Sequence, residues 1–179
     1  AETHSMSMEF FATPWYGLFF KHQTKKYEVS HLEGTLNFIP YGCLVDHFQQ
    51  VVYEHPEMTP QERNEAWLKL EKMYRPYLHL EGIPFYERGA GWQRQNHIFA
   101  TPFYYIDYCL AQTVALQFWL ELEKDWKKAW EKYKHFVKRG GTDTFLGLVE
   151  GAGLTSPMED GCIRQIAEYA SAWLKEKEA

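Results

Sequence analysis

The sequence has few cysteines, and their placement excludes whole classes of protein. Three occur in 179 residues, Cys43, Cys109 and Cys162, and they are odd in number and far apart in the chain. A small secreted domain that depends on disulfides needs a denser and paired set. No two of these cysteines have the spacing of metal ligands. The pattern favours buried thiols in a reducing compartment, so we predict a cytoplasmic protein.

Long apolar runs and an excess of positive charge are also lacking. The longest apolar candidates are interrupted by Lys21, Asp46, Asp107 and Glu121, and none reaches the length that spans a membrane. The formal net charge is −5, with both signs distributed along the chain. Phosphate binding needs basic patches, so this balance argues against nucleic acid as the main partner. We predict neither a membrane nor a nucleic-acid partner.

Aromatic residues are abundant, at 17% of the chain, and apolar residues recur mostly at spacings of three and four. That period predicts amphipathic helices. Thr59-Pro60-Gln61-Glu62 has an N-cap hydroxyl, a proline at the first helical position and a glutamate that can complete a capping box. Pro40 is either a kink or the first residue of a new helix, and Pro102 is predicted to begin a long helix. The sequence thus predicts an all-α fold, with one domain over residues 1–179.

The most informative stretch is the one in which His97 precedes a group of tyrosines. On a helix, Tyr104, Tyr105 and Tyr108 fall on one side, because residues three and four apart are neighbours. An imidazole and several phenols that face one space can donate hydrogen bonds to a developing negative charge. The same residues could instead form an aromatic core helix whose hydroxyls find partners in the interior.

Two carboxylates share one face of the first predicted helix. Glu2 and Glu9 are seven residues apart, which is close to two turns. Two acids on one stripe beside apolar residues either have partners elsewhere in the fold or bind a metal. The helical pattern has no capping residue before it, whereas helices normally begin with one. We therefore expect that a longer polypeptide has been cut here.

Three motifs occur in order along the chain. They are Glu2-Thr3-His4-Ser5-Met6-Ser7-Met8-Glu9-Phe10-Phe11, then Ile39-Pro40-Tyr41-Gly42, then Trp92-Gln93-Arg94-Gln95-Asn96-His97-Ile98-Phe99 with Pro102-Phe103-Tyr104-Tyr105-Ile106-Asp107-Tyr108. Together they resemble the C-terminal part of zinc oligopeptidases of the oligoendopeptidase F and thimet oligopeptidase group, over essentially the whole chain. The resemblance implies a lobe of the helical, neurolysin-like fold of zincin-like oligopeptidases. It also implies a zinc-dependent endopeptidase that hydrolyses short oligopeptides.

The resemblance implies a site for one zinc ion, to which this chain contributes one ligand. In the family, two histidines of a His-Glu-x-x-His helix and a glutamate of a following helix bind the metal, and Glu2 matches that glutamate. Glu9 matches an acid that holds a ligand histidine in place. No His-Glu-x-x-His occurs in this sequence, yet zinc hydrolysis needs three protein ligands and a base. We therefore expect the two histidines in an upstream segment, so that the N-terminal part of the same polypeptide is a partner.

For the tyrosine-rich stretch, the resemblance implies that His97 and Tyr108 face the scissile carbonyl. Tyr104 and Tyr105 lie in the same segment and are further candidates for contact with the substrate. A different class of function stays open, namely a non-catalytic helical domain that binds peptides on the same aromatic surface. The upstream sequence distinguishes the two, because a His-Glu-x-x-His helix is expected for the enzyme and not for the binding domain.

Overall fold

All regular structure in the described part of the chain is helical. A computed structural model describes residues 2–178, and over that range it contains α-helices and short 3₁₀ turns but no β-strand. The α-helices are α1 (Glu2–Phe11), α2 (Tyr16–Phe20), α3 (Thr24–Glu54), α4 (Pro60–Tyr74), α5 (Pro84–Glu87), α6 (Asn96–Ala100), α7 (Ile106–Lys124), α8 (Trp126–Lys138), α9 (Phe145–Gly151) and α10 (Cys162–Glu178). The 3₁₀ turns are Thr13–Trp15, Lys21–Gln23 and Ala90–Arg94. The all-α fold predicted from the sequence is confirmed.

The described chain divides into two compact units. One comprises residues 2–36 and 110–178, and the other comprises residues 37–109. The prediction of one domain over residues 1–179 stays a prediction. Among the helices between residues 2 and 178, none is both long enough and apolar enough to cross a membrane.

The 37–109 unit has an aromatic and aliphatic core. Its buried residues come from α3, from α4 and from the segments that follow α4; they are Leu44, Val45, Phe48, Trp67, Leu70, Trp92 and Tyr105. Phe48 packs edge-on against Trp67, with the ring centroids 5.1 Å apart. Burying a large apolar side chain stabilises a fold by roughly 2 kcal/mol. This core therefore fixes α3 against α4 and gives the following loop a rigid surface to lie on.

The loop after α4 is held close to that helix. The indole N–H of Trp92 donates to the side-chain oxygen of Asn64 at 2.9 Å. Gly89 has a φ of 79°, and a Cβ there would lie 2.1 Å from the carbonyl oxygen of Asn64. Glycine is required at this position, because any side chain would be strained in φ and would also collide with the helix backbone. The close approach sets the path of the chain towards α6.

The structure shows where Pro40 lies and how α4 begins. Pro40 lies inside α3 and does not begin a new helix. α4 begins at Pro60 with the expected capping box: the Thr59 hydroxyl accepts from the Glu62 N–H, and the Glu62 carboxylate accepts from the Thr59 N–H at 2.7 Å. The predicted start of this helix is confirmed.

The predicted start of the next long helix at Pro102 is wrong, since α7 begins at Ile106. Phe103 has a φ of 63°, in the left-handed region, which cannot continue into a right-handed helix. Its N–H donates to the side-chain oxygen of Gln49 on α3 at 2.8 Å. This hydrogen bond to a residue 54 positions away in the sequence holds the backbone of Phe103 in its non-helical conformation.

In the other unit, α1 is held by a cluster of aromatic residues on α8. The ring of Phe11 lies 4.9 Å from that of Tyr133 and 5.3 Å from that of Trp130. The indole N–H of Trp126 donates to the carbonyl oxygen of Phe11 at 3.3 Å. These contacts fix the end of the helix on which both candidate glutamates lie.

Replacing Gly42 by alanine is expected to destabilise the fold. A Cβ at this position would lie 2.0 Å from the sulfur of Cys109, and that thiol donates to the carbonyl oxygen of Ile39 at 3.6 Å. Relief of the clash moves the thiol or the helix, so the free energy of unfolding in urea should fall by about 1–3 kcal/mol.

The matched control for Gly42→Ala is Gly34→Ala. Gly34 lies on the same helix, and a Cβ there would meet nothing within 4 Å. Alanine should stabilise that position by roughly 0.5–1 kcal/mol, because it restricts the unfolded chain and suits a helix. Equal effects of the two substitutions would contradict the packing described for Gly42.

Candidate active site

His97 lies on α6, directly after the 3₁₀ turn Ala90–Arg94. Gln95 separates the two with an extended backbone, φ −84° and ψ 92°. The imidazole is half-buried, and its Nδ1 lies 2.8 Å from the side-chain nitrogen of Gln95. The side chain of Gln95, two residues earlier in the sequence, therefore helps to fix the orientation of the imidazole.

The structure brings the three candidate tyrosines together around His97, although Tyr104 and Tyr105 precede α7. The hydroxyl oxygen of Tyr108 lies 3.4 Å from His97 Nε2. The ring of Tyr105 packs edge-on against the imidazole, with centroids 4.9 Å apart, and the ring of Tyr104 packs edge-on against Tyr108 at 5.3 Å. Tyr108 thus shares a hydrogen bond with His97, and the other two rings surround the pair.

The phenols differ in exposure and hence in their chemistry. Tyr104 is 37% exposed and Tyr105 is 9% exposed. Burial raises the pKa of Tyr105 to about 12, and the neighbouring phenol of Tyr41 adds a smaller contribution in the same direction. Because the charged form is disfavoured, Tyr105 stays a neutral phenol near neutral pH.

Two residues of this network were not singled out as site residues from the sequence. The hydroxyl of Tyr41 on α3 donates to the side-chain oxygen of Gln95 at 2.7 Å, across 54 positions of the chain. The nitrogen of the same amide contacts His97. Both residues lie within the sequence motifs that resemble those of the oligopeptidases. Their position in these motifs could have identified them as candidate site residues.

A cavity of about 510 Å³ lies beside this network, within the 37–109 unit. Its lining includes Tyr41, Trp67, Arg75, Arg94, Gln95 and Tyr105. The guanidinium of Arg75 lies 4.7 Å from the centroid of the Tyr41 ring and forms an ion pair with the buried carboxylate of Glu71. Aromatic walls with a few polar groups are typical of a ligand-binding pocket.

The two candidate glutamates lie on α1, in the other unit. Glu2 is in the first turn and is half-buried. The exposed carboxylate of Glu9 lies 2.9 Å from His31 Nε2 on α3, and the backbone carbonyl of Glu9 accepts from the hydroxyl of Tyr16. His31 was not singled out from the sequence, and a lone histidine in a helical pattern gives no signal that it faces a carboxylate.

The residues present can be tested for their fit to a zinc site. Within residues 2–178, no group of three or more His, Cys, Asp or Glu side chains is placed to hold a metal ion. A zinc site in a hydrolase needs three protein ligands. Glu2 has the right donor chemistry, since carboxylate oxygens bind zinc, and its helical position two turns from Glu9 agrees with the expected motif. Its chemistry is therefore compatible with one ligand of such a site, and the described residues do not provide the other two.

The chain matches one protein family and several solved structures. The model described as "Peptidase family M3" matches residues 1–168. No curated protein sequence matches the chain significantly.

Three solved structures have the same fold and substantial sequence identity. PZ peptidase A, solved with an inhibitor, is 48% identical with a TM-score of 0.93, over 97% of this chain and 31% of that one. A structure described as an oligoendopeptidase F is 45% identical with a TM-score of 0.93, over 99% of this chain and 32% of that one. Another so described, from Bacillus anthracis str. Ames, is 43% identical with a TM-score of 0.81, over 99% of this chain and 29% of that one. This chain spans about a third of the length of these proteins.

Replacing Tyr105 by phenylalanine is expected to make the fold less sensitive to alkaline pH. The pKa of Tyr105 is raised to about 12 in the folded state, against about 10 in an unfolded chain. Stability from this effect is fully present below about pH 10 and is lost as the pH rises towards about 12, because the unfolded form ionises first. In urea titrations over that range, the free energy of unfolding should fall less steeply for Tyr105→Phe than for the wild type. Equal slopes would contradict the buried neutral phenol.

Proposed function

Because this chain belongs to peptidase family M3, we propose that it forms part of a zinc-dependent endopeptidase that hydrolyses short oligopeptides. The observation that supports this most directly is the pairing of His97 with Tyr108, at 3.4 Å between Nε2 and the hydroxyl oxygen. An imidazole and a phenol beside an aromatic cavity suit a reaction in which negative charge develops on a carbonyl oxygen.

The proposed work of this chain is to bind and orient the substrate and to stabilise that developing charge. Tyr108 donates its O–H to the carbonyl oxygen as it becomes negative, and His97 supports this donor through its own hydrogen bond with Tyr108. Preorganised donors of this kind contribute on the order of 3 kcal/mol each, because they need no rearrangement during the reaction. Tyr105 holds the imidazole from the side, and the more exposed Tyr104 is placed to contact the substrate.

Peptidases of this family are generally zinc-dependent, and Glu2 is the proposed protein ligand from this chain. When bound, zinc supplies a Lewis acid and lowers the pKa of a water molecule. The two histidine ligands and the base are expected in another part of the polypeptide. Glu9 is proposed to hold a ligand histidine in place. Its carboxylate already accepts a hydrogen bond from the imidazole of a different histidine, His31, which shows that it can bind a ring N–H.

A second candidate function is a non-catalytic helical domain that binds peptides. The cavity of about 510 Å³, with its aromatic walls and arginines, favours this alternative as much as it favours the enzyme. Zinc-dependent peptide hydrolysis by the natural polypeptide that contains these residues distinguishes the two. Peptide binding without hydrolysis in the presence of zinc would select the binding domain.

Tyr108→Phe is expected to impair hydrolysis more than substitution of either neighbouring tyrosine. The change deletes the hydroxyl next to His97 Nε2 and keeps the ring, so kcat should fall by roughly 100- to 1,000-fold with little change in KM. Steady-state kinetics on a short quenched-fluorescence peptide measure this. Tyr53→Phe, at an exposed tyrosine of α3, is the control and should keep wild-type kinetics. A smaller effect for Tyr108→Phe than for Tyr104→Phe or Tyr105→Phe would reassign the substrate donor.

Glu2→Ala in the natural polypeptide is expected to lower zinc occupancy and activity together. Removing a residue that hydrogen-bonds to a metal ligand lowers the affinity for the metal by about 10- to 100-fold. Removing a ligand itself should lower the affinity for zinc by at least as much. Zinc content by mass spectrometry and peptide hydrolysis provide the two measurements. Glu33→Ala, at an exposed glutamate of α3, is the matched control. Full zinc content in Glu2→Ala would remove Glu2 from the ligand set.

A further inference from the structure

A continuous chain of side-chain hydrogen bonds runs through the 37–109 unit and ends at Tyr108. The hydroxyl of Tyr41 lies 2.7 Å from Gln95 Oε1, and Gln95 Nε2 lies 2.8 Å from His97 Nδ1. On the other side of the imidazole, Nε2 lies 3.4 Å from the hydroxyl oxygen of Tyr108. Four residues from α3, the loop after α4, α6 and α7 are thus connected in series.

The chemistry of the amide gives this series a direction. The nitrogen of a glutamine side chain can only donate, so the Nδ1 that faces Gln95 Nε2 accepts and has no proton. A neutral imidazole has one proton, which is then on Nε2. That proton faces the oxygen of Tyr108. The phenol of Tyr108 accepts this hydrogen bond and keeps its own O–H for another acceptor.

Tyr41 orients the amide of Gln95. Its hydroxyl donates to Oε1, which turns the nitrogen towards His97. Burial raises the pKa of Tyr41, so this phenol keeps the proton that it donates. Without that donor the amide could rotate by half a turn and present its oxygen to Nδ1, and the imidazole proton would then move to Nδ1.

Packing holds the first and the third members of the series in place. The guanidinium of Arg75 lies 4.7 Å from the centroid of the Tyr41 ring. The ring of Tyr105 stands edge-on to Tyr41 at 5.9 Å and edge-on to the imidazole of His97 at 4.9 Å. Tyr105 therefore fixes the first and the third members of the series relative to each other.

We propose that Gln95 and Tyr41 are positioning residues that hold His97 in the neutral form protonated at Nε2, so that the O–H of Tyr108 is directed to the substrate carbonyl. The tautomer of His97 rests on the orientation of the Gln95 amide, whose oxygen faces Tyr41 and whose nitrogen faces Nδ1. Its consequence for hydrolysis rests on the proposed function, because it needs a substrate carbonyl next to Tyr108.

The test measures which ring nitrogen of His97 has the proton. The natural polypeptide that contains these residues is labelled with ¹⁵N in its histidine rings, and long-range ¹H–¹⁵N spectra distinguish the two tautomers. A His97→Asn variant assigns the signals. The expected result is a proton on Nε2 in the wild type. A proton on Nδ1 in the wild type overturns the proposal.

Two conservative variants test the role of each positioning residue. Gln95→Glu keeps the size of the side chain but presents an acceptor to Nδ1, so the proton should move to that nitrogen. Tyr41→Phe keeps the ring and its packing but removes the donor, so both tautomers should appear. Tyr74→Phe is the matched control, because it removes a hydroxyl 3.0 Å from the Nδ1 of a different histidine, His47, and should leave the His97 signals unchanged. An unchanged tautomer in Gln95→Glu overturns the role of Gln95.

Kinetics separate this proposal from the proposed function. Gln95→Glu should lower kcat by roughly 10- to 100-fold and leave KM nearly unchanged, since it disturbs a donor through its neighbour and not the binding surface. Wild-type kcat in that variant overturns the catalytic consequence. If the polypeptide hydrolyses no peptide but the tautomer changes as expected, the positioning of His97 is supported and the peptidase function fails.

Discussion

The geometry around His97 depends on the close approach of a glycine-containing loop to α4. At Gly89 a Cβ would lie 2.1 Å from the carbonyl oxygen of Asn64, and at Gly91 it would lie 2.7 Å from the indole nitrogen of Trp67. The missing side chains allow the loop to lie directly on the helix. Trp92 then reaches Asn64 with its indole N–H. A bulkier residue at either glycine would displace the chain that leads to the imidazole.

The helix under this loop contains a buried carboxylate with partners on the same helix and at its C-terminal end. Glu71 is 3% exposed, accepts from the indole N–H of Trp67 at 2.8 Å and forms an ion pair with Arg75. A buried charge is costly unless it is paired and hydrogen-bonded, and this one has both kinds of partner. Arg75 in turn contacts the ring of Tyr41. The buried ion pair of α4 is therefore connected, through Arg75 and Tyr41, to the hydrogen-bonded series that reaches His97.

Two phenols beside His97 are held neutral by burial. Burial favours the protonated forms of Tyr41 and Tyr105, and the amide of Gln95 has no charge to lose. Neutral donors keep their direction when charge develops on a neighbouring oxygen, whereas mobile charges would be screened by water. An aromatic environment suits neutral donors, and edge-on contacts hold the rings of Tyr105 and Tyr108 beside the imidazole of His97. The aromatic residues of the chain thus surround the candidate site as well as forming the core.

The sequence by itself determined the helical class and the capping box at Thr59, because these depend on local periodicity and side-chain chemistry. Its motif order made the tyrosine-rich segment a candidate site. It did not determine that α7 begins at Ile106, because Phe103 takes a left-handed φ and donates to Gln49 from a distant helix. Nor could it connect Tyr41 to Gln95, or Glu9 to His31, across 54 and 22 positions. Long-range hydrogen bonds of this kind leave no periodic signal in a chain. Only the tertiary structure, by bringing polar groups within reach of one another, decides which of them become partners.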